Sequence, residues 1–260
     1  MGRGVVTTLR VLAASLVVAV ASLTACARDE SEFTYLRIQV DGQPTLAITR
    51  KDARIRGIVV YFHGIDGNEF SMTSDSSQRE MTRDLVDAGF AVVSSFAGGN
   101  AFGDQQTVQN YRELGSMAHE HYQIDNVYFL ADGLGAIPAI NLFASGHAPM
   151  RGLAAINPVL NLTTARTHVP ALSVNEPSAP SEIGDPMALD PEALQGKDIR
   201  FYVSPQDSDA PSADNATLFE RRFGGTAKIS VVGCSGAHRD ASCVQGEDLA
   251  RWFTQLDART

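Results

Sequence analysis

The sequence predicts an α/β fold, a mostly parallel sheet with helices on both faces. Three observations carry this. Strand-length apolar runs alternate with helical segments from residue 33 onward, the pattern of β-α-β units. Runs such as IRGIVVYF at 55–62 are apolar almost throughout, as strands buried on both faces are. The segment LADGLGA at 130–136 passes from an apolar strand into a helix through a turn of small residues.

The elements follow in order. Phe33–Val40 and Thr45–Arg50 flank Asp41-Gly42 and read as a hairpin. Ile55–Phe62 is a buried strand. Ser77–Ala88 is an amphipathic helix with Met81, Leu85 and Val86 inward, stopped by Gly89. Ala91–Phe96 is a strand. Gln106–Tyr122 carries Val108, Tyr111, Leu114, Met117 and Ala118 at helical spacing. Asn126–Asp132 is a strand and Leu134–Ser145 a helix, with Pro138 near its first turn, where a missing N–H costs little. Gly152–Asn157 and Ile199–Ser204 are strands, Ser212–Phe223 a helix, Lys228–Val232 a strand and Gly246–Leu256 the last helix. Residues 163–196 hold five prolines and little periodicity. They read either as a short lid over a site or as a surface connection.

Composition is that of a globular protein, 44% hydrophobic and 20% charged. The formal charge of −9 gives no electrostatic reason to expect nucleic acid. The amino terminus stands apart. Arg3 and Arg10 precede the 12-residue apolar run Val11–Ser22, too short to span a bilayer. The run ends in Leu23-Thr24-Ala25-Cys26, which resembles a bacterial lipobox. That resemblance implies cleavage before Cys26, a thioether-linked diacylglycerol on Cys26, and attachment to a membrane outside the cytoplasm. An ordinary secretory signal or a membrane anchor is the competing reading. The division is then a signal peptide over 1–25, a lipidated tether over 26–32 and one folded domain over 33–258. Cleavage removes two arginines and no acid, so −9 becomes −11.

Beyond Cys26 the chain has only Cys234 and Cys243. Export to an oxidising compartment makes that pair a disulfide. Two cysteines and a histidine do not complete a tetrahedral metal site, and His119 and His121, two apart on a helix, face different ways. No metal and no cofactor is expected.

Four landmarks now stand in chain order: Phe62-His63-Gly64-Ile65 after a buried strand, the turn at Ala131–Gly135, Tyr202-Val203-Ser204-Pro205-Gln206-Asp207, and Gly236-Ala237-His238. In this order, at strand ends, they resemble the α/β-hydrolase superfamily, over about residues 33–258. The stretch Gly98–Asp104 also resembles a glycine- and aromatic-containing loop of its esterase and peptidase-like members. The resemblance implies oxyanion-hole N–H groups from Ile65 and Leu134, a catalytic acid at Asp207 and a catalytic histidine at His238. Asp209 is an equal candidate for the acid by composition.

The nucleophile is what departs from the pattern. The elbow is normally G-x-S-x-G. Here Ala131 and Gly135 occupy the small positions and Gly133 stands where the serine belongs. Taking Asp132 as the nucleophile instead would place Leu130 and Leu134 where helix and strand leave little room. An elbow residue sits in strained backbone costing a non-glycine about 1–3 kcal/mol, a cost glycine largely escapes. Exchange of serine for Gly133 therefore removes the chemistry and keeps the structure. The expectation is a degenerate hydrolase of the cell envelope that binds a small acyl, ester or peptide-like ligand or an envelope partner. The alternative is an active ester or amide hydrolase in which His238 and Asp207 work with water, or with Asp132, as nucleophile.

Overall fold

The computed structural model describes residues 32–100, 102–146, 150–168, 172 and 184–259. The expected signal peptide, Cys26 and the expected tether up to residue 31 lie outside the described residues, as does much of 169–183 in the expected lid. No helix among the described residues is long and apolar enough to cross a membrane.

Eight strands form one sheet: β1 (Phe33–Val40), β2 (Gln43–Arg50), β3 (Gly57–Phe62), β4 (Phe90–Ser95), β5 (Val127–Asp132), β6 (Met150–Ile156), β7 (Asp198–Val203) and β8 (Lys228–Gly233). Their spatial order is β1-β2-β4-β3-β5-β6-β7-β8. The hairpin partner β2 pairs antiparallel with both β1 and β4. From β4 through β8 every pairing is parallel. All the parallel strands therefore end at one edge, and their exits bring distant parts of the chain together.

The inner strands are buried on both faces, and the period of two sorts their residues. Val60, Phe62, Phe129, Ala131 and Phe201 face one core, with α2 (Gln105–Tyr122), α3 (Ala136–Ser145) and α5 (Ala216–Phe223). Val59, Tyr61, Tyr128, Leu130 and Tyr202 face the other, with α1 (Ser76–Asp87) and α6 (Gly246–Asp257). Phe90, Tyr128 and Phe253 stack in that second core at 4.6–5.9 Å between centroids. Buried side chains of this size each contribute about 1.5–3 kcal/mol. α1 and α2 begin at Asp75 and Asp104, whose carboxylates accept from Gln78 N and Thr107 N, satisfying N–H groups that a first turn leaves unpaired.

Three elements differ from expectation. The helix expected over 212–223 begins only at Ala216, because Asn215 is used elsewhere. Its Oδ1 accepts from Leu160 N and Asn161 N at 2.8 and 3.2 Å, tying this loop to the exit of β6. The helix expected from Leu134 starts with a 3-10 turn at Gly133–Gly135. Inside the aperiodic segment lies the short helix α4 (Leu162–His168). Only Leu162 and Ala165 are buried in it, too few to leave a readable period. Later in the segment, 3-10 turns at Pro186–Ala188 and Pro191–Leu194 start on prolines capped by Asp185 and Asp190.

The tightest packing is where α3 meets β3. A Cβ on Gly135 would stand 2.3 Å from Phe62 O and 2.6 Å from His63 O, both backbone atoms. Gly135→Ala should therefore lower stability by about 1–3 kcal/mol through overpacking, read as a shift of the urea unfolding midpoint at unchanged slope.

Candidate active site

The strand exits carry unusual backbone. Positive φ occurs at Asp66 after β3, Ala97 and Phe102 after β4, Gly133 after β5, Asn157 after β6 and Arg239 after β8. Five of these six are not glycine. Such conformations cost of order 1–3 kcal/mol each and cluster where a site is held in shape by its surroundings.

Gly133 has φ +50, and a Cβ placed on it would meet nothing within 4 Å. Asp132 has extended backbone, φ −118 and ψ 127. The sharp-turn position is thus Gly133 rather than Asp132. Parity separates them further, since Asp132 continues the Tyr128–Leu130 series toward α1 and α6. Its carboxyl is pushed above the ordinary range by burial, with the charges of Arg239 and His238 pulling the other way. That protonation bias works against a carboxylate nucleophile. Next to it the Tyr61 hydroxyl is buried and is pushed up by burial and by the Asp132 charge.

Asp207 and His238, from the exits of β7 and β8, meet. His238 Nδ1 lies 2.8 Å from Asp207 Oδ2. The other carboxylate oxygen accepts from Asp209 N and Ala210 N at 3.0 and 2.8 Å, so Asp209 contributes its backbone rather than its side chain. With Nδ1 donating to the acid, Nε2 is left as the basic nitrogen, the arrangement of a histidine–carboxylate dyad. Ser204, standing where the resemblance led to a glycine, ties the two loops. Its hydroxyl donates to Gly236 O and accepts from Gln206 N. The Cys234–Cys243 disulfide closes the loop that carries His238. Closing so short a ring stabilises by about 2–3 kcal/mol in the chain-entropy model.

The loop after β3 is equally anchored. The ring nitrogens of His63 lie 2.9 Å from Gly64 O and from Phe96 O. Asp66 and Asn100 exchange two hydrogen bonds of 2.8 Å, fastening this loop to the Gly98–Asp104 stretch. Leu134 is buried in an apolar cluster with Phe102, Ile137, Val159, Leu162 and Leu172, and Ile65 packs against it. Leu162, Ala165 and Leu172 thus bring the start of the expected lid onto the elbow. Val159 N also donates to Gly133 O at 2.9 Å.

Solved structures share the fold. Est1E from Butyrivibrio proteoclasticus superposes with a TM-score of 0.66 at 13% identity, covering 86% of this chain and 99% of its own. The chain has the α/β-hydrolase fold. Other structures with this fold are similar too. The Pyrococcus furiosus esterase Pf2001 gives 0.64 at 12% identity, over 88% of this chain and 90% of its own. The S-formylglutathione hydrolase FrmB from Staphylococcus aureus gives 0.65 at 14%, over 86% and 96%. No family model matches the chain, and no curated protein matches it.

Sequence reasoning singled out His238, Asp207, Gly133, Asp132, Ile65 and Leu134, and left three contributors without a role. Ser204 stands in the sequence only as one residue of the Tyr202–Asp207 landmark. Arg239 and Asn157 carry no motif, and their signal, a positive φ at a strand exit, exists only in three dimensions. Among the described residues no group of three or more His, Cys, Asp or Glu side chains could hold a metal ion.

Asp132 yields a pH prediction. A carboxyl raised on folding favours the folded chain while protonated, and that advantage is lost as pH rises from its unfolded value through its folded one. Asp132→Asn escapes that loss. Its thermal stability relative to wild type should be lowest below about pH 4 and should increase toward neutral pH, measured by melting across the pH range.

Proposed function

We propose that this protein is a lipid-anchored pseudohydrolase of the bacterial envelope, held outside the cytoplasm through Cys26. It binds a small acyl, ester or peptide-like ligand, or an envelope partner, without turning it over. One observation carries this. Gly133 has positive φ and open space at the elbow, and His238 Nδ1 lies 2.8 Å from Asp207 Oδ2. A dyad without a hydroxyl to activate lacks the covalent step of acyl transfer. The names of similar structures, an esterase and an S-formylglutathione hydrolase, make ester-like compounds the first to try.

The same open space supports one other reading, an active hydrolase. A water in that space could be activated by His238, with donors from Ile65 and Leu134 stabilising the oxyanion. Sites stripped of triad members retain about 10³–10⁴-fold acceleration over water from what remains.

The test is hydrolysis of short-chain p-nitrophenyl esters by the domain beginning at residue 27. Wild type should be inert, and Gly133→Ser should gain at least about a hundredfold over background through a completed triad. Gly133→Ser,His238→Ala should lose that gain. Hydrolysis by wild type that His238→Ala abolishes would overturn the pseudohydrolase reading in favour of activated water.

A further inference from the structure

Beside the elbow, on the α1 and α6 side of the sheet, lies a cavity of about 480 Å³. It is separate in character from the apolar cluster at Leu134. Its walls are the loop after β3, the start of α1, the end of β5 and the loop that follows His238. Its lining is polar, with carboxylates from Asp66, Asp75 and Asp132 and a single cation, the exposed Arg239. This volume lies within the range of small-molecule pockets.

The charged side chains of the lining are three carboxylates against one guanidinium, beside serine hydroxyls and the Asn68 and Gln78 amides. Gln78, 6% exposed, lines the cavity, and its Oε1 is buried with no hydrogen-bond partner. Buried polar atoms are rarely left so, because each costs about 1–3 kcal/mol. What would satisfy this lining is a group that brings N–H donors and positive charge together. A metal ion is not that group, since no cluster of carboxylates here could hold one among the described residues.

We propose that this cavity binds a small organic cation, a compound with a primary ammonium or guanidinium group, held by Asp132, Asp75 and the Gln78 carbonyl. The Asp132 charge, which burial disfavours, gains a counter-ion on binding. Arg239 competes for the same carboxylates from the rim. The site also touches the proposed oxyanion loop. The Asp132 carboxyl carbon lies 3.7 Å from the point a Cβ on Gly64 would occupy, and Gly64 and Ile65 form part of the wall. The inference is independent of whether position 133 supports chemistry.

The experiment is calorimetric titration of the domain beginning at residue 27 with agmatine and with cadaverine, using 1,5-pentanediol as a matched neutral compound. Both cations should bind and the diol should not. Asp132→Asn and Asp75→Asn should each weaken binding about tenfold or more. Asparagine still caps α1 at position 75, so that loss would not come from helix fraying. Arg239→Ala should tighten binding. Absence of binding by both cations, equal binding of the diol, or unchanged affinity in both asparagine variants would overturn the proposal and leave a hydrated cavity.

Discussion

The close approach of the turn after β5 to the exit of β3 is the constraint on which the rest of the site depends. Gly135 has no room for a Cβ because Phe62 O and His63 O are already there. That contact sets the direction in which α3 leaves the sheet and holds the His63–Ile65 loop against the turn. It also forces the chain through a left-handed conformation at Gly133. A residue at that point is thrust out of the sheet into open space.

Around that contact the site is assembled by hydrogen bonds between strand exits, not by any one segment. Ser204 joins the exits of β7 and β8, Asn215 joins α5 to the exit of β6, and Asp66 with Asn100 joins the exits of β3 and β4. A disulfide closes the histidine loop. Each tie lowers the freedom of a loop that would otherwise fray, and together they hold strained backbone at residues such as Arg239 and Asn157.

The two faces of β5 divide the neighbourhood into two environments. Gly133 opens beside the apolar cluster at Leu134. Asp132, one residue earlier and so on the opposite face, meets Arg239 and the start of α1 across a polar cavity. Adjacent residues thus serve unlike surroundings.

The sequence by itself determined the alternation of strands and helices, the parallel sheet covered on both faces, and the order of the landmarks from His63 to His238. These are local patterns of apolar periodicity and turn chemistry, written in neighbouring residues. It also singled out the elbow, since small residues at 131, 133 and 135 are legible as spacing. Only the tertiary structure decided that Asp207 rather than Asp209 meets His238, that Ser204 is a tie between loops, and that Asp132 faces a cavity with Arg239. The pattern hid the start of α5 and the helix α4 for the same reason. Their limits come from contacts with chain tens of residues away, such as Asn215 with Leu160, and a long-range hydrogen bond leaves no period in the sequence that makes it.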